Sequence, residues 1–286
     1  MEGSGTLYVV ATPIGNLADL SARAVSVLGQ AALVAAEDTR HTRKLLSHAG
    51  IQAEMVSYRE QNHARAAQAI LATLAQGGDV ALVSDAGTPG VSDPGSLLVQ
   101  QALGQGVRVV PVPGPSAVIA ALSASGLASD AFSFVGFLPR KPGARQELLL
   151  RLAPVPATLI FYESPRRVLA TLADLEKVLG DRQAVVAREL TKIHETFVRG
   201  RLHELPGLLG GEPRGECTLL VAGPEEEQRA ALDEGWWELA SALRDGVRLP
   251  TKELARLLGS LSGAGSRFFY EWLIGRAPSV GPDQDA

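Results

Sequence analysis

Val80-Ala81-Leu82-Val83 runs without a polar residue into Ser84-Asp85-Ala86-Gly87-Thr88-Pro89-Gly90-Val91-Ser92-Asp93-Pro94-Gly95, and that junction decides the fold. A short apolar run bounded by turn residues suits a strand covered on both faces, as in a parallel sheet. The loop that follows carries three glycines and two prolines. Such a loop is tightly shaped and open to close approach of a ligand to its backbone. In parallel α/β sheets ligands bind beyond the carboxyl ends of the strands, so this loop is expected to wall a site. Asp85, at the strand tip, can accept hydrogen bonds from a ribose or an amine. The competing reading is that Ser92 or Asp93 caps the next helix, with Pro94 in its first turn. Capping accounts for the second half of the loop and leaves residues 84–89 unexplained.

On either side the chain alternates strands and helices. Apolar runs at 7–11, 33–36, 55–57, 80–84 and 107–110 are separated by helical patterns at 19–28, 39–49, 61–76 and 95–103. Short β-rich runs alternating with helices of about ten residues or more predict crossover units and a mainly parallel, doubly wound sheet. Pro111-Val112-Pro113-Gly114-Pro115 reads as a stiff connector. A second series follows, with helical 116–125, strand 132–135, a helix near 145–152, strand 158–161, helix 166–179 and strands 184–187, 196–198 and 218–221. The later strands crowd together, which predicts an antiparallel portion. The expected organisation is an α/β domain over 1–112, a second over 113–224, a helical region over 225–276 with helices at 225–244, 251–258 and 266–274, and a disordered tail over 277–286.

The chain has 286 residues, 46% hydrophobic and 20% charged, the balance of a globular protein with sizeable cores. A net charge of −4 provides no global basic field, so a nucleic-acid partner must be held by local patches. Cys217 is the single cysteine, which excludes an intramolecular disulfide and a several-cysteine metal site and fits a reducing compartment. The first residues lack the order of a signal peptide, and the most apolar stretch, 107–127, is broken by Pro111, Pro113 and Pro115. A cytoplasmic protein without a membrane span is expected.

Two further strand-end loops resemble the first in composition: Ala11-Thr12-Pro13-Ile14-Gly15-Asn16-Leu17 and Pro113-Gly114-Pro115-Ser116-Ala117. Each alone is common punctuation; together they describe a lined crevice. No dinucleotide fingerprint, phosphate-loop Gly-Lys-Ser/Thr or His-Glu-x-x-His occurs. The five histidines make no ligand cluster by spacing, and no metal is expected. Three polar segments also follow strands. Glu37-Asp38-Thr39-Arg40-His41-Thr42-Arg43-Lys44 offers acids and then bases, or a capped and solvated first turn. Phe161-Tyr162-Glu163-Ser164-Pro165-Arg166-Arg167 pairs arginines that could grip phosphates or face water. Arg188-Glu189-Leu190-Thr191-Lys192-Ile193-His194-Glu195 could deliver a base or form a surface ion-pair cluster. Arg140, Lys141 and Arg145 add a basic stretch, so RNA, if bound, is expected along 140–167.

In this order, Val9-Val10-Ala11-Thr12-Pro13-Ile14-Gly15-Asn16-Leu17, Ala36-Glu37-Asp38-Thr39-Arg40, Ser84-Asp85-Ala86-Gly87-Thr88-Pro89, Ser92-Asp93-Pro94-Gly95, Pro113-Gly114-Pro115-Ser116-Ala117, Phe161-Tyr162-Glu163-Ser164-Pro165 and Arg188-Glu189-Leu190-Thr191-Lys192 closely resemble the ribosomal RNA small subunit methyltransferase I family, a branch of the tetrapyrrole methylase superfamily. The resemblance covers about residues 6–224. It implies two α/β/α domains of class III methyltransferase type with a cofactor cleft between them. It also implies a homodimer that uses S-adenosylmethionine to methylate the ribose 2′-hydroxyl of a cytidine in the decoding region of 16S rRNA, within the small ribosomal subunit. Tetrapyrrole-modifying members have Gly-Asp-Pro where this chain has Ser84-Asp85-Ala86, which favours the RNA branch. Ser266-Arg267 stands where a Lys-Asn pair is expected of the family's helical end.

By this resemblance the cofactor is expected to meet Thr12, Pro13, Ser84, Asp85, Gly87, Thr88, Pro89, Ser116, Ala117, Tyr162 and Leu190. A ribose hydroxyl is a poor nucleophile at neutral pH, so a positioned base is expected; the candidates are Asp38, Glu163, Glu189 and, if burial depresses its pKa, Lys192. Arg40, Arg43, Arg140, Lys141, Arg166 and Arg167 are expected on RNA phosphates. The rival readings are a small-molecule tetrapyrrole methyltransferase and a non-catalytic rRNA-binding assembly factor, and the strand-end crevice argues against the second.

Overall fold

Five strands, β1 (Thr6–Val10), β2 (Leu33–Ala36), β3 (Met55–Ser57), β4 (Val80–Val83) and β5 (Arg108–Val112), pair in the order β3-β2-β4-β1-β5, all parallel, in a computed structural model of the chain. The structure describes residues 3–59, 61–93, 95–211, 215–224, 239, 241–244, 246, 249–262, 269–270 and 273–274. Every residue of β2 and β4 is buried, because helices cover both faces. Val34, Ala36, Ala81 and Val83 pack with Ala24 and Leu28 of α1 (Ala22–Gln30) and Leu46 of α2 (Thr39–His48). The alternate residues Leu33, Ala35, Val80 and Leu82 pack with Ile70 and Leu74 of α3 (His63–Ala75) and Leu98 of α4 (Gly95–Gly104). The period of two in a strand sends successive side chains to opposite faces, so a continuous apolar run is the signature of this double cover.

The expected connector at Pro111 is in fact strand. Pro111 lies opposite Val9, and β5 continues to Val112. A proline lacks an N–H for the ladder, and β5 tolerates it because it is an edge strand. The Pro111 carbonyl accepts a hydrogen bond from Arg23 Nη2 at 3.1 Å.

The second sheet comprises β6 (Phe132–Phe137), β7 (Thr158–Glu163), β8 (Gln183–Arg188), β9 (Thr196–Arg201) and β10 (Cys217–Val221) in the order β6-β7-β10-β8-β9. β6 and β7 are parallel, whereas β10 is antiparallel to β7 and β8, and β8 to β9. The predicted antiparallel portion is present. On one face lies α5 (Ala117–Ser125), its Val118, Ala121 and Leu122 against Ile160, Val185 and Leu220. On the other lie α6 (Pro142–Leu152), α7 (Val168–Leu179) and the short α8 (Leu205–Leu209), through Leu149, Leu172, Leu175 and Leu205. An ion pair between the buried Arg145 of α6 and the partly buried Asp174 of α7 joins two of these helices.

The two halves meet through the loop after β1. Ile14 packs into the core of the second sheet. A Cβ on Gly15 would lie 2.7 Å from Lys192 Cγ and 3.0 Å from the Leu190 carbonyl oxygen, so only glycine allows this approach. Toward the C-terminus, α9 (Thr251–Ser262) packs Leu254, Ala255 and Leu258 on Phe269. The helices expected at 225–244 and 266–274 fall largely outside the described residues, within which 241–244 and 269–270 are helical. The tail at 277–286 lies wholly outside them. No described helix is long and apolar enough to cross a membrane.

Candidate active site

Because β1 and β4 are neighbours, the loops that follow them leave the sheet together. Thr12 N donates to the Gly87 carbonyl at 2.9 Å, and Gly87 N to the Thr12 carbonyl at 3.0 Å. The Thr12 hydroxyl donates to the Ser84 carbonyl at 3.1 Å. Gly87 takes a φ of +80°, the left-handed turn that a side chain disfavours. Thr12, Pro13, Ser84 and Pro89 are therefore buried behind the wall they shape. The Ser84 hydroxyl is engaged by the carbonyls of Ala86 and Gly87, both at 3.4 Å. Asp93 Oδ1 accepts from the amides of Gly90 and Gly95 and closes the loop. Ser92 is held there at φ 65°, a sparsely populated conformation for a residue with a side chain.

A cleft of about 460 Å³ opens between the two sheets. The first half contributes Ile14, Glu37, Ala86, Gly87, Thr88, Val91 and Ser92. Ser116 and Ala117 come from the start of α5, and Phe137, Tyr162, Glu163, Ser164, Pro165, Leu190, Glu216, Cys217 and Thr218 from the second half. Of the residues expected to meet a cofactor, Gly87, Thr88, Ser116, Ala117, Tyr162 and Leu190 come together here. Asp85 instead lines a second cavity of about 820 Å³ with Glu37, Asp38, Arg59, Gln61, His63, Ser92, Asp93, Ser96 and Leu97. Glu37 and Ser92 belong to both cavities. The Asp85 carboxylate accepts from the Asp38 amide at 3.0 Å, and Asp85 N donates to Glu37 Oε2 at 3.2 Å, so two adjacent strand ends are cross-linked.

The four candidate bases fare differently. Asp38 caps α2, accepting from Arg40 N at 2.8 Å and from the Arg40 guanidinium at 2.7 and 3.1 Å, with Arg59 3.2 Å away. These bonds from Arg40 hold its carboxyl far below the usual range. Glu189, at φ 52°, pairs with Lys192 at 2.9 Å, and that bond lowers the glutamate's pKa. The same bond raises the pKa of Lys192, contrary to the depression that a lysine base requires. Lys192 stays protonated. Glu163 lines the cleft with its side chain fully buried. It accepts from Ser164 N at 2.8 Å and Thr171 Oγ1 at 2.7 Å, and it pairs with Arg167 at 3.2 Å. Both oxygens are thus engaged in holding this strand end together, and neither is free for an acceptor hydroxyl.

Glu37 was not among the candidates. Burial raises its pKa against the opposing hydrogen bond from Asp85, while the nearby charges of Asp85 and Asp93 push it further up and Arg59 pulls it down. Cys217 also reaches the cleft, its thiol pushed up to about 11 by burial.

Among the expected phosphate ligands, Arg43, Arg140, Lys141 and Arg166 are exposed. Arg40 is exposed but bonded to Asp38. Arg167 turns inward to Glu163 and to the Leu138 carbonyl, the latter at 2.8 Å, and Arg145, counted in the basic stretch, is buried against Asp174. A guanidinium that already neutralises a carboxylate has little left for a phosphate.

Residues 6–206 match the family model described as Tetrapyrrole (Corrin/Porphyrin) Methylases. Ribosomal RNA small subunit methyltransferase I of Xylella fastidiosa strain Temecula1 is 47% identical over 274 residues, which span 94% of this chain and 99% of that protein. The protein of the same name from Synechocystis is 49% identical over 255 residues, 88% of this chain and 89% of its own length. The chain belongs to the ribosomal RNA small subunit methyltransferase I family, within the tetrapyrrole methylases. As a family member it is a methyltransferase of known architecture. The uroporphyrin-III-C-methyltransferase of Thermus thermophilus has a TM-score of 0.53 at 25% identity, covering 76% of this chain and 94% of that one. The methyltransferase CobJ shares the fold, with a TM-score of 0.58 at 20% identity over 77% of this chain and 95% of its own.

Proposed function

We propose that the chain transfers the methyl group of S-adenosylmethionine to the 2′-hydroxyl of a cytidine ribose in the decoding region of 16S rRNA. It acts within the small ribosomal subunit, in the cytoplasm, as a homodimer. The observation that carries the cofactor reading is the charge of the cleft. Glu37, Glu163 and Glu216 line it, the last two paired with Arg167 and Lys192 and Glu37 not, and among the described residues no lysine or arginine lines the cleft. An acid-lined, half-apolar cleft of this size suits a cationic nucleoside and disfavours a phosphate-bearing one. When bound, the cofactor supplies an electrophilic methyl carbon on a positively charged sulfur.

The residues that would hold it follow from their placement. Ile14, Ala117 and Leu190 offer an apolar wall for a purine, and Thr88, Ser116 and Thr218 offer hydroxyls. Tyr162 packs edge-on against Phe134, with ring centroids 4.8 Å apart, and so keeps its ring fixed at the cleft. Their contribution to rate is orientation, which brings an acceptor oxygen to about 3–3.5 Å in line with the carbon.

The RNA reading draws on the names of the relatives and on the exposed bases Arg140, Lys141 and Arg166, which belong to the same half as the cleft residues Phe137 and Pro165. The homodimer and the ribosomal setting draw on the motif resemblance. A filter-binding assay with radiolabelled S-adenosylmethionine tests the substrate class. Label is expected in 16S rRNA of unmethylated 30S particles and not in uroporphyrinogen; label in the tetrapyrrole alone, or in neither, overturns the reading.

A further inference from the structure

We propose that Glu37 is the general base of the reaction, taking the proton of an acceptor hydroxyl that enters through the larger, polar cavity. The inference rests on the methyl-transfer reading above. Glu37 and Ser92 are the two residues common to both cavities, and Glu37 alone of the two can take up a proton at neutral pH. One Glu37 oxygen accepts from the Asp85 amide at 3.2 Å; the other accepts no hydrogen bond among the described residues. Its neighbours in the cleft are committed elsewhere, Glu163 to Ser164, Thr171 and Arg167, and Glu216 to the Lys192 ammonium at 3.4 Å. Arg59, whose charge bears on Glu37, donates to the Glu37 carbonyl at 2.8 Å and is paired with Asp38 at 3.2 Å. Desolvation and the facing carboxylates Asp85 and Asp93 raise the basicity of Glu37 above that of an ordinary glutamate, which brings it nearer to neutrality, where a base is most effective.

In the step itself the ribose O–H bond breaks and its proton passes to the free oxygen of Glu37. The new O–C bond forms on the acceptor oxygen's electron pair, and the C–S pair remains on sulfur, which becomes a neutral thioether. Glu37 ends as a carboxylic acid and releases its proton to water through the larger cavity.

Glu37→Gln is the test variant, because an amide oxygen still accepts from the Asp85 amide and fills the same volume. With 30S particles in single turnover at saturating S-adenosylmethionine, methyl transfer is expected to fall about 100-fold or more. The wild-type rate should decline with unit slope as pH falls through the pKa of Glu37, and the variant should lose that dependence. In the cofactor-free protein, the carboxyl carbon resonance absent from the variant should titrate above the usual 4.5. Glu37→Asp should recover part of the rate. A Glu37→Gln protein with wild-type rate, a retained acid limb, or a resonance titrating at or below 4.5 overturns Glu37 as base and leaves the methyl-transfer reading intact. Wild-type protein that places no methyl on ribose overturns both.

Discussion

Asp174→Ala removes the partner of a guanidinium that has nowhere else to go. The Arg145 side chain is 6% exposed and that of Asp174 13%. Asp174 accepts from Arg145 Nε at 2.6 Å and from Gln146 Nε2 at 2.7 Å. Without it, Arg145 keeps one long bond, to the Pro139 carbonyl at 3.4 Å. Breaking a buried pair by removing one member costs about 3–5 kcal/mol, because a charge is left uncompensated. The partial exposure of both side chains places this case near the lower figure, about 3 kcal/mol. For a chain of 286 residues, an unfolding entropy of about 2 cal/mol/K per residue makes each kcal/mol worth about 1.7 °C in melting temperature, so a fall of about 5 °C is expected by calorimetry. The double variant Arg145→Met, Asp174→Leu should recover most of it, since two apolar side chains can replace a buried pair at little cost. Both residues lie outside the cleft, so cofactor affinity should not change. A melting temperature within about 2 °C of wild type for Asp174→Ala, or a double variant no better than the single, refutes the reasoning.

Replacing Arg140 and Lys141 with glutamate should weaken RNA binding and reduce the slope of log affinity against log salt by about 1–2, since each phosphate contact on a single strand contributes about 0.7; an unchanged slope in filter binding places the RNA elsewhere. Arg167→Met should lower stability and leave that slope alone, because its guanidinium serves Glu163; a salt slope lowered as by the surface pair contradicts this. The His203–Asp181 contact at 2.8 Å raises the histidine pKa above 6.5 and lowers that of Asp181. Its contribution is therefore present below pH 6.5, while the aspartate stays charged, and fades as pH rises through the folded histidine pKa. Asp181→Asn should lower the melting temperature more at pH 5.5 than at pH 8.5, and an equal or reversed loss removes the ion pair from the account.

Two interior strands of the first sheet, β2 and β4, were legible because double cover demands unbroken apolar runs, and 33–36 and 80–83 are such runs. Pro111 misled for a local reason: proline punctuates loops, and only sheet order reveals the edge position that admits it. Three of the strand-end loops do converge, but sequence cannot tell a residue that touches a ligand from one that braces its neighbour. The hydroxyls of Thr12 and Ser84 are satisfied by backbone carbonyls inside the wall. The adjacent acids Glu37 and Asp38 were separable in part. An aspartate just before Thr39-Arg40 is an N-cap, and assigning it so leaves Glu37 for the site. Arg167 lies four residues after Glu163, a spacing that could have flagged an ion pair; the partner of Arg145, at position 174, is visible only once α6 and α7 are packed.

The most direct test of the methyl-transfer account is nucleoside mass spectrometry of 16S rRNA from 30S particles of a deletion strain, after incubation with the purified protein and S-adenosylmethionine. The account predicts 2′-O-methylcytidine that depends on both additions. A methyl group found on the base, or none at all, contradicts it.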